Sequence, residues 1–116
     1  MIVAIVSPDL LISTRIADAA TRAGHEPLRV DSPALLPPPA GVGIAFVDWA
    51  ARDDGWRLQL ASWCSGAPES QLPRLVLFGP HTDLAAHAAA RAAGLGPMMA
   101  RSALISELPR LLGRLT

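Results

Sequence analysis

Lysine is absent: all ten basic residues are arginine. That removes a Schiff-base amine and the ammonium of a P-loop, closing two common routes to covalent and phosphate chemistry. Strong arginine and alanine usage is also what a GC-rich genome produces. An excess of either charge is missing too, with ten acids balancing ten bases. No long-range field gathers nucleic acid or anionic lipid, so neither is expected as a partner. The single cysteine, Cys64, has no internal disulfide partner and fits a reducing compartment. No apolar run approaches the roughly 18 residues needed to cross a bilayer. No charged leader with an apolar core and a small-residue cleavage site is visible. The expectation is a soluble, cytoplasmic protein.

What is there reads as one folded domain over 1–116. Half of the residues are hydrophobic (51%) and 17% are charged, which excludes a disordered chain and allows a core without metals or disulfides. "MIVAIV" is a short β-branched apolar run, as in a strand covered on both faces. Asp9 then caps a helix in "LLISTRIADAATRAG". Ile12, Ile16, Ala19, Ala20 and Ala23 share its apolar side, and Gly24 stops it. "EPLRVD" is a second strand whose proline suggests a sheet edge. In "SPALLPPPAG" three prolines forbid a helix of more than one turn. "VGIAFVD" is the third strand. A helix from Asp53 or Asp54 to about Trp63 follows, with Leu58, Leu60 and Trp63 at apolar positions. "RLVLFG" is the fourth strand.

"HTDLAAHAAARAAG" is a thin alanine-rich helix between a Thr82 or Asp83 cap and Gly94. "PMMA" is a weak fifth strand. In "ISELPRLLGRL", Pro109 is accommodated if Ser106 is the cap, because first-turn amides have no intrahelical partner to lose. Alternating strands and helices predict a three-layer α/β sandwich: a five-stranded parallel sheet with helices on both faces. Chemistry in such sheets collects at the carboxyl ends of the strands. Ser7, Asp48, Phe78 and Arg101 all fall there.

Taken over essentially its whole length, this run of elements resembles the receiver domains of two-component response regulators, of the chemotaxis-regulator type. The resemblance implies the flavodoxin-like strand order 2-1-3-4-5; the three prolines depart from the family's pattern and leave the second helix shortened or absent. It places Asp48, at the end of the third strand, at the family's phosphoacceptor position. Ser7 and Pro8 fall on the two acids that hold Mg²⁺, with Asp9 just after them. Phe78 replaces the hydroxyl residue of the fourth strand, Arg101 the lysine of the fifth, and Ser102 the proline that usually follows it. The loop after Asp48 lacks the family's proline and is one residue shorter to Gly55. Mg²⁺ usually needs one or two carboxylates besides phosphoryl oxygens. Losing ligands, hydroxyl and ammonium together removes the charge neutralisation that phosphoryl transfer depends on.

Each candidate has an ordinary structural reading beside it. Asp48 is either a phosphoacceptor or a leftover carboxylate paired with Arg101 across the strand ends, and the second is preferred. Asp53 and Asp54 read as helix caps before they read as cation ligands. His81, Asp83 and His87 lack the further ligand that zinc requires. Cys64 has no histidine near it in sequence. "GVG" at 41–43 precedes a strand, whereas phosphate loops follow one. Trp49, Trp56 and Trp63 recur every seven residues, and Trp56 and Trp63 share one helix face. That face either packs on the sheet, the preferred reading, or anchors a partner.

The expectation is therefore a receiver-like, non-enzymatic interaction module in signalling, with no catalytic residue, metal or cofactor. Its partner would be another protein or a second copy, and Trp56, Trp63, Met98 and Met99 are the candidate interface residues. The competing expectations are an atypical regulator phosphorylated on Asp48 and a small-ligand binder on the same scaffold.

Overall fold

A computed structural model describes residues 1–115. Strand β1 (Ile2–Val6) leads into helix α1 (Leu10–Arg22), β2 (Glu26–Val30) and β3 (Val42–Asp48). Helix α2 (Trp56–Ser65), β4 (Arg74–Gly79), α3 (Leu84–Ala92), β5 (Met99–Ala100) and α4 (Arg101–Gly113) complete the order. The sheet runs β2-β1-β3-β4-β5 with every pair parallel, the flavodoxin-like order. Pro27 lies in an edge strand, where a missing ladder donor is tolerated. Among the described residues no helix is long and apolar enough to cross a membrane.

Period-two alternation sorts the strands into two cores. Val3, Ile5, Ile44, Phe46, Val76 and Phe78 face α1 and α4, meeting Ile12, Ile16, Leu104, Leu108 and Leu111. Val6, Val47 and Leu77 face the opposite way, onto Trp56 and Leu60 of α2 and Ala86, Ala90 of α3. The alanines let α3 lie close to the sheet. Between β2 and β3, where three consecutive prolines exclude a longer helix, only two single 3₁₀ turns form, Pro33–Leu35 and Pro39–Gly41.

Both ends of α1 follow the sequence. Asp9 Oδ1 accepts from the amides of Leu11 and Ile12, and Gly24 takes φ +83° beyond the last turn. Asp83 caps α3 through the amide of Ala86, and Gly94 at φ +71° follows it.

Three expectations are corrected. Helix α2 begins at Trp56, because Asp53 Oδ1 accepts from the Gly55 amide in a tight local turn and does not cap the helix. Leu58, expected at an apolar position, is exposed. Helix α4 starts at Arg101, five residues before the expected Ser106 cap. The reason is Leu104, which continues the stripe of Leu108, Leu111 and Leu112 and needs the same helix to reach the core. Ser106 instead donates back to the carbonyls of Ser102 and Ala103. Pro109 is thereby left in the helix interior, at a position that costs about 3 kcal/mol in a regular helix.

Candidate functional site

The same alternation that builds the first core brings three strand-end side chains to one place. Ser7 continues the Val3–Ile5 series, Asp48 the Ile44–Phe46 series, and Phe78 the series of Val76. Asp48 and Phe78 are also direct partners across the β3–β4 ladder. Because α4 begins right after β5, Arg101 reaches over this edge from the side. Asp9 arrives from the start of α1.

Asp48 is 1% exposed. The hydroxyl of Ser7 donates to its Oδ2 at 2.9 Å, and the same hydroxyl accepts from the Asp9 amide at 3.1 Å. Arg101 sits between two carboxylates, with Nη2 at 3.6 Å from Asp48 Oδ2 and Nη1 at 3.6 Å from Asp9 Oδ2. Asp48 Oδ1 and Arg101 Nε are buried without a hydrogen-bond partner. Phe78 is fully buried and, near the end of β4, presents a ring that offers no hydrogen-bonding atom. Pro8 is exposed and has no side-chain donor or acceptor. The strand ends thus hold one buried carboxylate, gripped on one oxygen by a hydroxyl and a guanidinium. A second carboxylate has one oxygen committed to capping a helix. Among the described residues no three of His, Cys, Asp and Glu come together as a metal-binding group.

The remaining candidates are scattered. Trp49 is buried on the far side of the sheet, where its Nε1 donates to the Ala86 carbonyl at 3.1 Å and Arg52 stacks over its ring. Trp56 (3% exposed) and Met98 (5%) face the same core, so neither is free to anchor a partner. For Trp56 the cause is helix phase, since it leads a face that also carries Leu60 inward. Met98 crosses the end of β4, where a Cβ on Gly79 would come within 2.8 Å of its sulfur. Met99 and Trp63 are half-buried, and Trp63 donates to the Pro37 carbonyl at 2.6 Å. His81 is exposed, and Asp83 is spent on its cap. Burial pushes the Cys64 thiol above its ordinary pKa, away from a reactive thiolate.

Two structural residues were not anticipated. Arg29 donates to the Ser7 carbonyl at 3.0 Å and pairs with Asp31, so it braces the backbone that aims Ser7. Its only signal in sequence is an arginine near the end of an edge strand. His25, buried just after Gly24, reaches the Leu112 carbonyl at 3.2 Å and ties the start of β2 to the end of α4. No local pattern announces a contact between residues so far apart in the chain. Comparison with protein-family models, with curated proteins and with solved structures finds no match for this chain.

Proposed function

We propose that this chain is a receiver-like, non-enzymatic protein-interaction module of cytoplasmic signalling that works without phosphorylation of Asp48. The observation that carries the reading is the state of that carboxylate. It is buried, with Oδ2 held by Ser7 and Arg101 and the Phe78 ring beside it in the sheet register. An incoming phosphoryl group needs an accessible carboxylate and cations around its equatorial oxygens. Here Arg101, the cation paired with Asp48 among the described residues, is already shared with Asp9. Arginine's fixed fork also does not reproduce a lysine's point charge. With its strand ends filled in this way, the fold has its helical faces left to offer to partners, whether another protein or a second copy.

Phosphorylation on Asp48 is the second reading, and the unpartnered Oδ1 favours it, because an attacking oxygen must be free of strong donors. Beryllofluoride or acetyl phosphate with Mg²⁺, followed by amide NMR, decides between them. The expected result is no change around Asp48, Phe78 and Arg101. Shifts there that disappear in Asp48→Asn would overturn the proposal.

A further inference from the structure

Helices α1 and α4 lie side by side on one face of the sheet, and their seam is open. Two cavities of about 340 and 280 Å³ lie along it and share Ala19, Arg22 and Pro109, so they form one groove. Its floor is apolar, made by Ala19 and Ala23 on one side and Ile105, Leu108 and Pro109 on the other. Pro109 contributes twice. Its ring lines the groove, and it brings no amide to the carbonyl of Ile105, leaving that acceptor without its regular helical donor.

The rim carries a charge pattern. Arg15, Asp18 and Arg22 all line the groove and all are exposed. None has an ion-pair partner among the described residues, where the four ion pairs involve other side chains. Two unpaired arginines seven residues apart, about 10.5 Å along a helix, bracket one aspartate. The complement is a helix with an acidic, basic, acidic sequence along one edge and an apolar stripe beside it.

This chain has no such helix to offer a second copy. Helices α2 and α3 carry no acid, α1 carries only Asp18, and α4 only Glu107, already paired with Arg110. We infer that the α1–α4 groove is a docking site for an amphipathic helix of a different protein, whose Glu, Lys and Glu at positions i, i+4 and i+7 lie against Arg22, Asp18 and Arg15 in antiparallel register. Leucine-type side chains of that helix fill the groove over Ala19 and Pro109. The inference names a surface for the interaction module proposed above and rests on that reading.

The test is a synthetic helical peptide with this Glu-Lys-Glu edge and an adjoining leucine stripe, titrated into the ¹⁵N-labelled full chain. Saturable shifts confined to Arg15–Ala23 and Ile105–Gly113 are expected. Arg15→Glu with Arg22→Glu alters only exposed side chains, and circular dichroism checks its fold. It should weaken binding about tenfold, as for two surface pairs worth somewhat under 1 kcal/mol each. A Lys-Lys-Lys peptide should recover binding to that variant, whose edge is then acidic at all three positions because Asp18 is kept. No saturation at millimolar peptide, shifts centred elsewhere, or equal affinity for both charge patterns would each overturn the inference. Asp48 phosphorylation would sink the module reading through a separate measurement, while a failed titration with Asp48 silent would sink the groove alone.

Discussion

Replacing Arg101 by methionine strips a buried carboxylate of its paired cation while keeping most of the apolar stem. Nη2 lies 3.6 Å from Asp48 Oδ2. Unit charges at that separation attract by about 1.2 kcal/mol in water and about 4.6 kcal/mol at an effective dielectric near 20. The Asp48 side chain is 2% exposed and that of Arg101 39%, so solvent screens one partner and desolvation taxes the other. The net coupling should fall near the lower bound, about 1–2 kcal/mol. Arg101→Met should cost about 1.5–2.5 kcal/mol in total, because Asp48 is then left buried with only the Ser7 hydroxyl. In an Asp48→Asn background the same change should cost about 0.5 kcal/mol, since no charge remains to strand. Urea denaturation of the four proteins, with equal slopes confirming two-state behaviour, yields the cycle. A coupling below about 0.3 kcal/mol, or an Arg101→Met variant as stable as the parent, would refute the claim that Arg101 neutralises the buried carboxylate.

Ser13 lies on the buried side of α1 at 3% exposure, and its hydroxyl has no partner. Ser13→Ala should therefore stabilise by about 1 kcal/mol, combining a removed desolvation cost with better helix propensity, and raise Tm by about 4 °C. A Tm that is unchanged or lower would show that the hydroxyl is satisfied in solution. Because burial pushes the Cys64 thiol up, less thiolate is present at a given pH than in a free cysteine. Iodoacetamide should label it several-fold more slowly at about pH 8, with the rate still climbing where a free thiol levels off. Urea should abolish the difference. Labelling at the free-thiol rate in the native state would contradict the burial argument.

Apolar runs were enough to read the five strands, and prolines to exclude a long helix between β2 and β3, because those features depend on local chemistry. The parallel sheet followed from the alternation of strands with helices. Prolines at 37, 38 and 39 forbid a helix wherever the chain goes. Gly24 and Gly94 stop helices because the left-handed backbone they adopt is strained for other residues. The positions of Ser7, Asp48 and Phe78 at one edge were legible for the same reason: a period of two fixes which side of a strand each residue takes.

Tertiary structure decided the rest. Pro109 and Ser106 locally favour a helix start, but burying Leu104 with Leu108, Leu111 and Leu112 outweighs the preference and draws the helix back to Arg101. That earlier start is what sets Arg101 between Asp9 and Asp48. Trp56 has the composition of an interface anchor, and only its phase against the sheet puts it inside. The bond from His25 to Leu112 and the α1–α4 groove join segments far apart in the chain. Sequence alone determined where the helices and strands lie along the chain, though not every boundary, and which face of each strand its residues share. Which distant faces meet, and so which charges are buried, paired or left open, was set by packing, since that depends on the shapes of all the elements together.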